Sequence, residues 1–291
     1  VAICDQIEDP KTAKGIVKRA VRKVITPGLA EDFLEIEGSE SSYLLACFLW
    51  QKCFIIVFMD YSTGEFRATS TDSAELFMDE LARIDPKEML ISKSMDESCA
   101  ALLKNEWPNF LKKRFVNFVA ENEFQTLAKE GWLALTQNIQ TPESISPESR
   151  DQILATANAL LSYVTMQVGE GLTHVRALSY YVLSDTLILD DRTVSHLECF
   201  ESSAARSRQY SLLWAIDRTS TRAGARKIKN WMKYPLKKIE EISKRLEAVQ
   251  ELVDDPLLLA NLRDMLKSMS DLERINGKIA TETVNPRELW A

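Results

Sequence analysis

Several things this sequence lacks narrow what it can be. Histidine occurs only at His174 and His196. The five cysteines (Cys4, Cys47, Cys53, Cys99, Cys199) are odd in number, scattered, and never spaced as Cys-x-x-Cys. A zinc centre needs clustered ligands, and a disulfide framework needs paired, regularly spaced thiols, so both are excluded and reduced, buried thiols of a cytoplasmic protein are expected. Long apolar runs are missing too. The longest, Tyr43–Trp50 and Cys53–Met59, fall far short of a membrane span. No charged-then-apolar leader opens the chain. The phosphate-cradling pattern G-x-x-x-x-G-K-[ST] is absent. The only Gly-Lys pair, Gly277-Lys278, sits inside a helical pattern without a following Ser or Thr. No internal repeat of 20–50 residues is evident.

What is present is ordinary soluble-protein chemistry with an uneven charge map. Hydrophobic residues make up 45% and charged residues 27% of 291, room for about two domains that each bury a core. The net charge of −7 argues against nucleic-acid contact over the whole surface. Yet residues 1–26 carry six basic and three acidic side chains, and residues 204–239 carry ten basic ones and a single acid, Asp217. The basic run is spaced around its helices, which makes it a solvated face with acidic neighbours; phosphate contact and a partner surface are the alternatives.

Hydropathy patterning divides the chain. An apolar strand, Val1 to Cys4, is followed by a polar stretch, and Pro27-Gly28 marks a boundary. Tyr43–Trp50 and Cys53–Asp60 are apolar throughout, as in strands covered on both faces, with a hairpin at Gln51-Lys52. Glu65–Thr71 alternates as a third strand. Ser73 caps a helix that Asp85-Pro86 ends, and Glu88–Ser92 is a short strand. Asp96 caps the next helix, Arg114–Val119 is a last strand, and a helical segment begins at Asn122. Thr141–Glu148 reads as a linker. Beyond it, Arg150–Val168 and segments near 191–200, 207–216, 222–233, 237–253, 256–268 and 270–280 are helical, with only Tyr181–Leu189 extended. The six tryptophans fall within apolar patterns and are expected in the core. The chain starts without Met, and Pro286 opens a helix that Ala291 leaves after a few residues; both suggest a segment of something longer, with apolar helix faces exposed near its end.

Four stretches carry a resemblance. Val1-Ala2-Ile3-Cys4-Asp5-Gln6-Ile7-Glu8-Asp9-Pro10, with Val24-Ile25-Thr26-Pro27-Gly28, resembles the end of the mismatch-binding domain of the MutS family. Asp60-Tyr61-Ser62-Thr63-Gly64-Glu65-Phe66 resembles a hairpin of its connector. Leu212–Arg226, reading LLWAIDRTSTRAGAR and continuing to Trp231 and Pro235, is similar to its lever signature, and Asp271-Leu272-Glu273-Arg274-Ile275 to the segment before its clamp. Ala223 stands where the family usually has Met, and Ser195-His196-Leu197-Glu198 replaces an Asn-Leu-Glu run. The resemblance implies three parts: the end of the mismatch-binding domain (1–26), an α/β connector (27–149) and the first part of an all-α lever (150–291). It implies a role in DNA mismatch repair, with mismatched double-stranded DNA bound by the full-length protein, a MutL-type partner docking on the connector, a monomeric segment and a homodimeric parent. No cofactor belongs to this segment; ATP and Mg are expected only in an ATPase domain beyond it, so the segment itself is not an enzyme.

Candidate residues follow. Lys14, Lys18, Arg19, Arg22 and Lys23 could meet the DNA backbone, positioning it without reading sequence. Asp217, Arg218, Thr219, Gly224, Arg226, Trp231 and Pro235 read as a helix-to-helix junction: Asp217 or Thr219 satisfying free backbone N–H groups, Arg218 cross-linking segments, Gly224 letting backbones approach; a direct ligand site is the alternative. Phe124-Gln125 is the suggested docking point for the partner. The strand order of the connector, with Asp60 closing a central strand, points to a ribonuclease-H-like mixed sheet. That raises a competing reading, a small metal-dependent nuclease using Asp60, Glu65 and Glu88. A free adaptor for a repair partner is the third.

Overall fold

The structure, a computed structural model, describes residues 2–6, 17, 19–29, 40–125, 133–136, 139–143, 145–168 and 172–290. Strand β1 (Ala2–Gln6) pairs antiparallel with β2 (Arg19–Val24), with a register shift between Ile3 and Cys4. Sequence patterning gives β1 but not β2. RAVRKV mixes basic and apolar residues and carries no apolar run to mark it as a strand.

The long apolar runs form the centre of a six-stranded sheet. β3 (Tyr43–Trp50) and β4 (Cys53–Asp60) pair antiparallel along their full length, and Gln51 takes the left-handed conformation (φ 56°) that a two-residue turn requires. β5 (Glu65–Thr71) continues antiparallel after a turn closed by Gly64. Helix α1 (Ala74–Ile84) starts at Ser73, whose hydroxyl accepts from the Leu76 amide, and stops at Asp85 in left-handed geometry. β6 (Glu88–Ser92) and β7 (Phe115–Val119) then add parallel strands on the other side of β3. Between them lie α2 (Lys93–Leu103) and α3 (Glu106–Leu111). The cap of α2 is Ser92, not Asp96: Ser92 Oγ accepts from the Met95 amide at 3.1 Å, while Asp96, one turn on, accepts from the Trp107 indole at 2.7 Å.

Past the 3-10 turn at Glu121–Gln125 and the short α4 (Leu133–Thr136), α5 (Pro147–Val168) covers one face of the sheet. Its Ile153, Ala157, Leu160, Leu161 and Val164 share a core with Leu44, Ala46, Val57, Met59 and Phe66. Alternate residues of the same strands (Leu45, Cys47, Ile56, Phe58) meet α1 to α3 in a second core with Phe77, Leu81, Met95 and Trp107. The helix that patterning alone assigns to the helical part after residue 149 is thus one wall of the α/β layer. Its apolar residues run around most of its circumference because sheet and loop both cover it, and periodicity cannot say which neighbours do so. The segment expected to be extended, 181–189, contributes a strand only just before it: β8 (Ser179–Tyr180) extends the sheet beside β5, giving the order β7-β6-β3-β4-β5-β8.

Seven helices follow: α6 (Asp191–His196), α7 (Leu212–Ile216), α8 (Arg222–Lys233), α9 (Ile239–Asp254), α10 (Pro256–Lys267), α11 (Leu272–Ala280) and α12 (Pro286–Trp290). Side-chain caps at Asp190, Ser211, Thr221, Asp255 and Asp271 start five of them. Helices α9 and α10 bury no residue, and Leu246, Val249, Val253, Leu257 and Met265 lie on the surface, so the expected apolar exposure near the C-terminal end is present. The tryptophans divide. Trp107 is fully buried and Trp50 packs at the core edge, but Trp214, Trp231 and Trp290 are exposed, contrary to a core role; Trp132 lies outside the described residues. No helix among the described residues is long and apolar enough to cross a membrane.

Candidate functional site at the sheet–helix junction

Three short stretches, distant in sequence, meet where β4 ends. Asp60 closes β4 and turns its carboxylate onto the loop, Oδ1 accepting from the Ser62 amide (2.9 Å) and hydroxyl (2.7 Å). Burial pushes the Asp60 carboxyl above its ordinary value, against the pull of those two bonds. Residues 172–176 lie along the same turn. The His174 ring donates from Nε2 to the Tyr61 carbonyl (2.6 Å), its ring stands edge-on to Tyr61, and the Arg176 amide donates to the Gly64 carbonyl (2.8 Å). Gly64 has φ +72°, and a Cβ there would overlap the His174 carbonyl, so the position excludes any other residue. Burial lowers the His174 pKa, favouring the neutral ring.

The helical side is held by Arg226 of α8. Its two terminal nitrogens reach Asp271 Oδ2 (2.6 Å) and Oδ1 (2.8 Å), and Nη2 also reaches Glu273 (2.7 Å). Asp271 in turn caps α11, and Glu273 accepts from Arg176 (2.5 Å), so one charged chain runs from α8 through α11 to the strap on the sheet. Burial alone would raise the Asp271 and Glu273 carboxyls, but the Arg226 bonds outweigh it and hold both below the usual range. Burial likewise opposes the Arg226 charge, and the same bonds raise its pKa. A planar fork matched to two carboxylates suits arginine and not lysine. Directly beside this chain, Gly277 of α11 lies against the turn: an added Cβ would stand 2.7 Å from the Ser62 carbonyl oxygen.

A second contact anchors the far end of α8. Tyr234 and Tyr181 both donate to Glu80 Oε1 of α1 (2.7 and 2.5 Å), Glu80 pairs with Arg83 (2.9 Å), and Arg67 lies 4.1 Å over the Tyr181 ring. Lys233 donates to the Arg83 carbonyl at the C-terminal end of α1 (2.6 Å), and burial, then Lys229 nearby, lowers its pKa to about 8.

The structure sorts the residues singled out by sequence. Arg226 is central. Asp217 accepts from the Thr219 amide (3.1 Å) and hydroxyl (2.7 Å) as expected, but its salt-bridge partner is Arg208; exposed Arg218 bonds its neighbour's carbonyl (3.0 Å) and cross-links no other segment among the described residues. The cap of α8 is Thr221, not Thr219, and Gly224 is crowded by Thr221 and Thr219 side chains rather than by another backbone; Gly277 fills that role. Trp231 stacks under Arg245 (3.9 Å), tying α8 to α9, and the Pro235 carbonyl accepts from Leu187 (2.8 Å). The basic run meets acids and carbonyls as expected: Lys229 faces Glu40, Lys238 faces Asp185, and Lys237 bonds the Ser184 carbonyl. Lys14 and Lys18, like the side chains of Arg22 and Lys23, lie outside the described residues; Arg19 is exposed at the start of β2. Phe124 is buried, stacked on Phe48 at 5.0 Å, so as a docking point that pair retains only exposed Gln125.

The nuclease carboxylates do not converge. Asp60 and Glu65 share the sheet face of Tyr43, where Glu65 accepts from the Tyr43 hydroxyl (3.1 Å). Glu88 points to the opposite face and is taken by the Gly28 amide (2.9 Å), Asn117 (2.7 Å) and Tyr163 (2.6 Å). No group of three or more metal-ligating side chains that could hold an ion occurs among the described residues. Sequence reasoning missed His174, Arg176, Gly277 and Arg274. Of these only Arg274 lay in a motif stretch, as a charged residue among Asp271–Ile275; His174, Arg176 and Gly277 lay outside every motif and gave no such signal.

Models of three protein families match consecutive parts of the chain: MutS domain I over residues 1–33, MutS domain II over 42–176 and MutS domain III over 192–291. Similar curated proteins include the DNA mismatch repair protein MutS of Clostridium tetani (strain Massachusetts / E88), 35% identical over 295 residues, which span 99% of this chain and 32% of that protein. The protein of the same name from Clostridium botulinum (strain Hall / ATCC 3502 / NCTC 13319 / Type A) is 33% identical over 307 residues, 99% of this chain and 30% of its own. That of Clostridium novyi (strain NT) is 35% identical over 291 residues, with 99% and 31% covered. The chain thus spans about a third of the length of these relatives.

Proposed function

The chain belongs to the MutS family, and from that premise we propose that it is the non-catalytic connector and lever portion of a DNA mismatch-repair protein. Its work is mechanical. It carries a change of position between a mismatch-binding end and an ATPase end, and the ATP and Mg chemistry belongs to the latter. The observation that carries this reading is the charged chain Arg226–Asp271–Glu273–Arg176, with Gly277 seated on the Ser62 carbonyl. The Arg226–Asp271 pair is buried and has few alternative arrangements, and with the exposed Arg176–Glu273 link and the Gly277 contact it joins helices and sheet so that they pass on a rotation instead of absorbing it.

The sheet order β7-β6-β3-β4-β5, with β4 antiparallel to both neighbours and β3, β6 and β7 parallel, supports the ribonuclease-H-like reading of the connector. On that reading it serves as a scaffold without nuclease chemistry and docks a MutL-type partner. A cytoplasmic setting, a homodimeric parent and an isolated segment that is a monomer or associates only weakly through its bare helix faces complete the proposal.

The test is Arg226→Gln in the full-length protein. Mismatch binding and nucleotide binding, each measured alone, stay near wild type. The effect of mismatched DNA on nucleotide turnover falls by roughly 5- to 150-fold, the range of coupling between linked sites. Unchanged coupling with the fold intact would reject the junction's transmitting role.

A further inference from the structure

Four buried polar atoms at this junction have no hydrogen-bond partner among the described residues: Asp60 Oδ2, Arg274 Nε and Nη1, and His174 Nδ1. Asp60 closes β4 and is fully buried; Arg274 belongs to α11 and is 4% exposed. Arg274 is anchored at its other end, Nη2 donating to the Glu40 carbonyl (2.6 Å). The two residues carry opposite charges and belong to the two sides of one contact: Gly277, one turn along α11 from Arg274, lies against the Ser62 carbonyl, and the Ser62 amide donates to Asp60; no direct salt bridge joins them among the described residues.

Such an arrangement is costly unless something completes it. An uncompensated buried ion costs several kcal/mol, on the order found when one partner of a buried pair is removed. A buried water needs two to four polar partners, and Asp60 Oδ2 with Arg274 Nε and Nη1 supplies one acceptor and two donors. We propose that Asp60 and Arg274 form a water-bridged ion pair buried across the junction, and that this pair positions α11 on the turn that follows β4. Both are positioning residues for the coupling proposed above, on which this inference builds.

The surrounding charges fit a bridged pair. Glu65 on β5 repels Asp60, and the Tyr43 hydroxyl on β3 lies within reach of Glu65. On the helical side Arg226 and Arg222 of α8 repel Arg274, while Asp271 attracts it. His174 packs on Tyr61 and approaches Gly277, one turn along α11 from Arg274. Burial raises the Asp60 carboxyl and lowers Arg274, as expected for two ions that their direct bonds only partly compensate.

The experiment is a double-mutant cycle on this chain, without DNA or nucleotide, with Asp60→Asn, Arg274→Met and the pair. It reads hydrogen exchange at the Ser62 and Gly64 amides and along α11. Coupling of roughly 5- to 50-fold in the local opening constant is expected, within the range for residues sharing one network. It should vanish as the pH is lowered through the raised Asp60 pKa, whereas Asp60→Asn shows no such dependence. Where Arg274→Met does not fold, Arg274→Lys completes the cycle. A crystal structure that resolves ordered solvent should place a water within hydrogen-bond reach of both side chains. Additive effects with no pH dependence, or a bridging position without water, overturn the proposal. Because the readout is local docking in the isolated chain, a positive cycle beside unchanged coupling in the full-length protein would reject the transmitting role and leave the ion pair standing.

Discussion

The six-stranded sheet and the helices α9 and α10 each carry apolar faces, yet one is covered and the other bare. Leu44, Leu45, Ile55, Ile56, Val57 and Met59 have no exposed surface, because α1–α3 lie on one side and α5 on the other. Leu246, Val249 and Val253 repeat at helical spacing along α9 and stay in solvent, with no buried residue anywhere on that helix. An apolar stripe is therefore a demand for a partner, and only the sheet has met its demand within the described residues. The junction lies between these extremes. It is held by charge and close backbone contact more than by apolar area.

The sharpest way to break this comparison is to remove matched apolar groups from each side. Phe58→Ala, in the core between sheet and α1, should lower stability by about 3–5 kcal/mol in urea denaturation, while Leu246→Ala on α9 changes it by less than about 0.5 kcal/mol. Equal losses would mean that α9 is covered in solution. The next effect belongs to the junction. Arg226→Met leaves the Asp271 carboxylate buried without its partner and should cost about 3 kcal/mol, whereas Lys267→Met at the exposed Lys267–Asp264 pair of α10 should change the same midpoint very little. The sign with pH is fixed by the carboxyls. Asp271 and Glu273 have folded pKa values below their unfolded ones, so their contribution is complete above about pH 4.5 and declines as the pH falls through the depressed values. Arg226→Met should lose that acid dependence, as followed by circular dichroism between pH 6 and 2. The smallest change in stability, with a clear change in behaviour, is expected for Val249→Lys: an unchanged unfolding midpoint but less concentration-dependent self-association in sedimentation.

Much of the fold was legible because strong local signals coincide with strong burial. The limits of β3, β4 and β6 follow from apolar runs bounded by turns, those of β5 from alternation after the turn at Gly64, and α8 from its helical pattern over 222–233. β2 was not legible, since RAVRKV has no continuous apolar run. The cap of α2 was misplaced because Ser92 ends a strand and starts a helix in one residue, and the more obvious acid, Asp96, serves Trp107 instead. Phe124 looked like a surface aromatic after a strand, but Phe48 lies under it. Of the candidate junction, Arg226 was legible as part of a motif. That its carboxylate partners lie 45 and 47 residues away was not.

By itself the sequence determined the strands and helices with strong apolar patterns, the main turns and which family the chain belongs to, because those properties depend on residues near one another along the chain. The tertiary structure alone decided that α5 covers the sheet, that Gly277 rests on Ser62, and that Arg226, Asp271, Glu273 and Arg176 form one charged chain. Those pairings join residues tens to hundreds of positions apart. A charge or glycine carries no mark of its distant partner until packing excludes water between them and gives the contact its energy.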